Sequence, residues 1–286
     1  MKPAPFDYVR ARTLDEALAA LAAGSGDAII LAGGQTLVPM MAMRLARPAT
    51  LIDLNEIPAL AGIEEEANGI RIRSMTRQAQ ALTNSIVRER LPLLAKALRF
   101  VGHQQTRNRG TVGGSIAHAD PAAEIPLIAV TLDAEITLAR RAGTRSVSAR
   151  AFFQGALATA RQADECLTDV LFPTWDGGRI GTGFHEVSAR HGDFAIVAAA
   201  AQLLLDGDGV CRRASIAVGG ASPAPVRVAD AEGMLVGKRI DAPLAAKVAR
   251  AVDGVLAPSE DVHATAAYRR RVARVLVERA ILEAAA

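Results

Sequence analysis

The chain has 286 residues, half of them hydrophobic, which is enough to bury the core of more than one domain and excludes a disordered or low-complexity tract. A formal net charge of +3 and an aromatic content of 3% exclude the concentrated basic charge and stacking rings of a nucleic-acid binder. Two cysteines, Cys166 and Cys211, provide neither a disulfide framework nor the four thiolates of an iron–sulfur cluster within this chain.

The N-terminal stretch carries charge but no apolar stretch of a secretory signal. The longest apolar run, residues 195–205, is interrupted by Gln202 and falls short of the roughly 20 residues of a membrane span. A cytoplasmic protein without a membrane span is the expectation. Thr13 and Glu16 read as a capping box, Leu14, Leu18 and Leu21 share one helical face, and Gly24 is a stop. Residues 28–31 read as a buried strand, followed by Ala32-Gly33-Gly34-Gln35-Thr36 and then residues 37–41, where Pro39 suits a helix start. Residues 50–54 add a strand, and this small α/β lobe ends near residue 57.

A second lobe follows, with alternation at residues 69–73 and 135–138, a helical segment at 92–98 and a strand at 167–172, before Pro173 and the Gly177-Gly178 break. It contains a second glycine pair, Thr111-Val112-Gly113-Gly114-Ser115. Asp120 then reads as an N-cap and Pro121 as a first helical residue. From residue 178 the pattern changes. Residues 195–205 and 210–218 read as strands joined by Asp206-Gly207-Asp208-Gly209, a hairpin signal, and helices follow near 229–236, 243–256 and 264–284.

The two glycine runs, about eighty residues apart, read as halves of one anion cradle. Adjacent glycines allow positive φ and close approach, so peptide N–H groups can turn inward around a phosphate where a Cβ would block contact. Two halves suit a diphosphate. Neither GxGxxG after the first strand nor GxxxxGK[ST] is present, which removes the fingerprints of a Rossmann dinucleotide site and of a nucleoside triphosphatase.

The wording of these segments, AGGQTLVPMMAMR and RNRGTVGGSIAHADPAAEIP, with the trailing FHEVSARHGDFA, resembles the FAD-binding medium subunits of the molybdenum hydroxylases, the xanthine dehydrogenase-like and carbon monoxide dehydrogenase-like enzymes. The resemblance covers nearly the whole chain. It implies an α+β fold: a two-lobed FAD-binding domain of the p-cresol methylhydroxylase type (1–57 and 58–177), then a smaller C-terminal domain (178–286) of antiparallel sheet and helices. It further implies FAD held by Ala32, Gly33, Gly34, Gln35 and Thr36 and by Thr111, Val112, Gly113, Gly114 and Ser115. Glu124 becomes a partner for flavin or ribose hydroxyls. The alternative for Glu124 is helix-dipole stabilisation of at most about 1 kcal/mol. The family's molybdenum cofactor and [2Fe–2S] clusters belong to a large and a small partner subunit, in a dimer of heterotrimers, and electrons leave through FAD to an external acceptor. No catalytic residue is expected in this chain. Many family members carry a lysine near the flavin where this chain has His185 and Glu186.

The remaining polar groups carry blander readings. His118 reads as a structural histidine. His185, Glu186, His191 and Asp193 lack a zinc spacing and read as a solvated loop, and Asp206–Gly209 lacks the later ligands of a calcium loop. Arg270 and Arg274 on the last helix suit either a solvated face or a docking surface for an acidic partner. Two rival functions stay open at this point: a self-sufficient FAD-dependent oxidoreductase, and a non-redox assembly or scaffold component with an empty cradle.

Overall fold

The computed structural model describes residues 2–24 and 26–286. The chain opens with β1 (Asp7–Arg10), α1 (Leu14–Ala23), β2 (Ala28–Leu31), α2 (Leu37–Ala42) and β3 (Thr50–Asp53). The strands make a parallel sheet in the order β1-β3-β2. Thr13 caps α1 by accepting from the Glu16 amide at 3.2 Å, but the Glu16 carboxylate accepts from the Arg12 amide at 2.7 Å, so the reciprocal bond of a full capping box is displaced by one residue. Leu18 and Leu21 bury against Ile52 and Leu54.

Next come β4 (Ile63–Glu66) and β5 (Gly69–Arg73), then six short helices: α3 (Gln78–Thr83), α4 (Ser85–Arg90), α5 (Pro92–Ala97), α6 (Gln104–Arg109), α7 (Val112–His118) and α8 (Glu124–Thr131). The segment closes with β6 (Glu135–Arg140), β7 (Gly143–Ser148), α9 (Ala149–Phe152), β8 (Phe153–Gly155), β9 (Ala158–Thr159) and β10 (Cys166–Pro173). Its five-stranded antiparallel sheet has the order β4-β5-β10-β6-β7. The last part is β11 (Arg179–Ser188), β12 (Ala195–Leu205), β13 (Cys211–Gly219), β14 (Val226–Arg227), α10 (Ala229–Leu235), α11 (Ala242–Ala251) and α12 (Ala266–Ala285). Its four strands form an antiparallel sheet in sequence order.

β12 and β13 pair across the Asp206–Gly209 turn, as the turn signal predicts. β12 is buried on both faces: Val197, Ala199, Ala201 and Leu203 join the core under α10, α11 and α12, while Ala198 and Ala200 join the core that contains α5 and α8. The period of two is that of a strand between two helical layers. α8, all of whose residues are buried, is the spacer between the five- and four-stranded sheets. Three bonds fasten this join: the Gly220 amide to the Pro121 carbonyl at 2.8 Å, the Lys96 ammonium to the Thr182 carbonyl at 2.7 Å, and the Ser215 hydroxyl to the Thr131 carbonyl.

Three sequence expectations change. The second glycine pair is not a loop but the first turn of α7, capped by Thr111, whose Oγ1 accepts from the Gly114 amide at 3.0 Å. Asp120 caps a turn instead of a helix, accepting from the Ala122 amide at 2.8 Å, and α8 begins three residues after Pro121. His185 and Glu186 lie on β11, a strand and not a solvated loop. Glycine at 181 and 183 weakens the strand signal, yet a Cβ at either would overlap the α12 carbonyls of Ala284 and Ala280, so close helix packing selects glycine there.

Candidate cofactor site

β2 delivers the chain into residues 32–36, and the two glycines do different work. Gly34 has φ +72°, a left-handed conformation that costs an L-residue about 1–2 kcal/mol. Gly33 lies on the backbone entering α7: a Cβ there would overlap the Arg109 carbonyl and stand 2.8 Å from Gly110 Cα. The amides of Gly33, Gly34, Gln35 and Thr36 donate to no protein atom among the described residues. Such groups are normally paired unless they meet water or a ligand. Gly33, Gly34 and Gln35 border a cleft of about 400 Å³ that is also lined by Val38, Pro39, Asp53, Asn55 and Arg109, with Thr36 next in the chain.

The second run lies beside the first, since a Cβ on Gly114 would meet Ala32 Cβ at 3.5 Å. Its amides, however, are already engaged. Val112 donates to the Thr76 carbonyl at 3.0 Å, Gly113 to the Ser74 carbonyl at 2.9 Å, Gly114 to Thr111 Oγ1 and Ser115 to the Thr111 carbonyl at 3.2 Å. Gly113 is required because a Cβ would overlap Ser74. What this run offers a ligand is the half-buried Ser115 hydroxyl, which makes no hydrogen bond among the described residues, and a wall without side chains. The cradle is therefore asymmetric: one run supplies amides and the other supplies shape.

Arg109 and Asn55, which the sequence reading passed over, complete the cleft. Arg109 is exposed and forms no ion pair among the described residues. Burial would raise the Asp53 carboxyl, but hydrogen bonds from Tyr8 (2.5 Å) and Asn55 hold it below the usual carboxylate range. Adjacency to a glycine run was the one sequence signal for Arg109. Asn55 and Asp53 gave none, because only β-sheet register brings the end of β3 beside the end of β2.

Glu124 does not line this cleft. It is 4% exposed at the head of α8, and burial followed by the charge of Asp120 pushes its carboxyl up to about 7. Glu186 projects from the β11 face that carries Phe184 into the same core, and its Oε2 is buried without a hydrogen-bond partner. Burial and the nearby Glu124 push it up to about 8. His185 points the other way, its Nε2 lying 3.2 Å from Glu283 of α12. His118 is half-buried at the end of α7. Arg274 and Arg270 are bound to Asp253, through its carboxylate at 2.8 Å and its carbonyl at 3.0 Å, so both have intrachain partners.

Unpartnered amides, a hydroxyl and a guanidinium around an open cleft are the donors that phosphate groups take, and the site fits a dinucleotide such as FAD. The class is thus an α+β protein built on three larger sheets and the two-stranded β8-β9 ribbon, with a cleft whose free donors suit phosphate. Residues 4–175 match the family model for the FAD binding domain in molybdopterin dehydrogenase, and residues 182–284 match that for the CO dehydrogenase flavoprotein C-terminal domain. The chain is 39% identical to the 6-hydroxypseudooxynicotine dehydrogenase complex subunit alpha of Paenarthrobacter nicotinovorans, over 99% of this chain and 96% of that one. It is 34% identical to the carbon monoxide dehydrogenase medium chain of Hydrogenophaga pseudoflava, covering 98% and 97%. A chain of reconstituted CO dehydrogenase from Oligotropha carboxidovorans superimposes with a TM-score of 0.96 at 34% identity, covering 100% and 99%. The chain belongs to the family of FAD-binding medium subunits of molybdenum-containing dehydrogenases, related to carbon monoxide and xanthine dehydrogenases. It is a flavoprotein subunit of a heteromeric oxidoreductase. Among the described residues no helix is long and apolar enough to cross a membrane.

Proposed function

We propose that this chain relays electrons from [2Fe–2S] clusters of a small subunit, through its FAD, to an external acceptor, while a large molybdenum subunit oxidises the substrate. The reading places the chain in a dimer of heterotrimers in the cytoplasm, and divides it into lobes at 1–57 and 58–177 and a C-terminal domain at 178–286. Each division falls between sheets. The observation that carries the reading is the set of four unused amides at residues 33–36 beside Arg109.

The isoalloxazine, when bound, supplies the redox chemistry. The chain's own residues bind and orient. The amides of residues 33–36 and the Arg109 guanidinium hold the diphosphate, and Ser115 adds a hydroxyl donor. Ala32, Thr111, Val112, Gly113 and Gly114 shape the wall. Glu124, away from the diphosphate cleft, is available to hydroxyl groups of the flavin half. The account requires no acid, base or nucleophile from this chain. Isolation of the native complex tests it: molybdenum, iron and FAD co-purifying with two further subunits support the relay, and substrate-dependent flavin reduction by this chain alone would favour a self-sufficient oxidoreductase.

A further inference from the structure

Arg77 sits in the turn between β5 and α3, outside both glycine runs, yet its guanidinium bonds a neighbour of each. One nitrogen donates to the carbonyl of Arg109, the residue on which Gly33 packs. The other donates to Asn55 Oδ1 at 2.6 Å. Asn55 Nδ2 in turn donates to the Ala32 carbonyl at 3.0 Å. A continuous line of hydrogen bonds, Ala32 to Asn55 to Arg77 to Arg109, therefore ties the end of β2 to the segment entering α7. No other side chain among the described residues bonds to both Asn55 and Arg109.

The charges around this line are unbalanced. Arg77 is half-buried, and burial together with the Arg109 charge pushes its guanidinium down, with Asp53 acting in the opposite sense. The Asp53 oxygens already accept from Tyr8 and Asn55. Arg77 thus has no carboxylate of its own, since Asp53, the acid that acts on it, is engaged by Tyr8 and Asn55, and Arg109 forms no ion pair among the described residues. This arrangement leaves Arg77 bonded to neutral acceptors and Arg109, on the cleft wall, with its charge unpaired among the described residues, which favours an anion there.

We propose that Arg77 is a positioning residue that clasps the two glycine runs at the spacing where residues 33–36 and Arg109 meet two linked phosphates, so that it selects FAD over the monophosphate FMN. The inference rests on the FAD reading. A ligand with one phosphate needs only the amides of residues 33–36 and is indifferent to the separation of the walls, whereas a diphosphate that also reaches Arg109 depends on it.

The test measures FAD and FMN dissociation constants for flavin-free full-length chain by fluorescence, in wild type, Arg77→Met, Asn55→Ala and the double variant. Arg77→Met is expected to weaken FAD by at least about tenfold and FMN by less than about threefold. Asn55→Ala breaks the same line from an exposed position, so it keeps the proposal testable if Arg77→Met does not fold. It is expected to lose FAD with the same preference, and the double variant to bind FAD no worse than the weaker single variant. FAD affinity unchanged in Arg77→Met, or FAD and FMN weakened equally by Asn55→Ala, would overturn the clasp while leaving FAD binding intact. No FAD binding by the unaltered chain would overturn the FAD reading and this proposal with it.

Discussion

Glu186 of β11 lies in the field of Glu124 at the head of α8, and neither carboxyl has an ion-pair partner among the described residues. The join between the second and third sheets thus holds two acids that resist ionisation. Both are raised, to about 7 and about 8, from the ordinary carboxyl value of 4.5. A raised folded value means that the stability they lend is complete below the unfolded value and is lost as pH climbs through the folded ones. Thermal midpoints of the flavin-free chain are therefore expected to fall between about pH 5 and pH 8. Glu124→Gln should flatten that fall, with a gain on the order of 2–3 kcal/mol at pH 8 over wild type. A decline of the same slope in the variant would show that the Glu124 carboxyl carries no such strain.

Gly33 and Gly34 answer to different constraints, and their variants separate them. Gly33→Ala forces its Cβ into the Arg109 carbonyl, so the runs must part, and FAD binding is expected to weaken by at least about tenfold. Gly34→Ala keeps the separation but strains the turn by about 1 kcal/mol, and should lower the thermal midpoint as well as affinity. Flavin titration beside thermal unfolding checks both.

How much of this was legible in the sequence depends on which force set each element. The first run read correctly as strand, turn and helix because local chemistry decides it: an apolar β-branched segment, then two glycines and a proline within seven residues. The strand is, however, an edge strand with Ile29 exposed and not the buried strand expected. The hairpin of β12 and β13 was legible from its turn. The second run was not, because its glycines are dictated by contact with Ser74, and nothing local distinguishes a glycine that packs from one that turns. β11 was hidden for the same reason, its glycines answering to α12. Arg109 and Asn55 enter the cleft through tertiary register, which a single sequence does not display.

Thr111 supports its run from inside the fold. Thr111→Val removes the cap on Gly114 and is expected to cost about 1 kcal/mol of stability, read as a lowered urea midpoint, with FAD affinity altered less than in Gly33→Ala. A greater loss of affinity than of stability would place the Thr111 hydroxyl against the ligand instead.

Arg227 ties β14 to α10 and to the end of α8, bonding Glu232 at 2.6 Å and Asp133. Its side chain is 9% exposed. Arg227→Met would leave the buried Glu232 carboxylate without its cation, while Asp133 keeps Arg150 at 2.6 Å, so a loss of about 3 kcal/mol is expected in denaturant unfolding. An unchanged midpoint would mean that the Arg227 ion pairs contribute nothing to the join and that its hydrogen bonds and apolar packing hold it.

The central claim, that the first glycine run holds the diphosphate through its own amides, is tested most directly by amide hydrogen exchange of the chain with and without FAD. The account predicts strong protection of residues 33–36 when FAD binds, and little change at residues 113–115, whose amides are bonded in its absence. Unprotected amides at residues 33–36 in a chain saturated with FAD would contradict it.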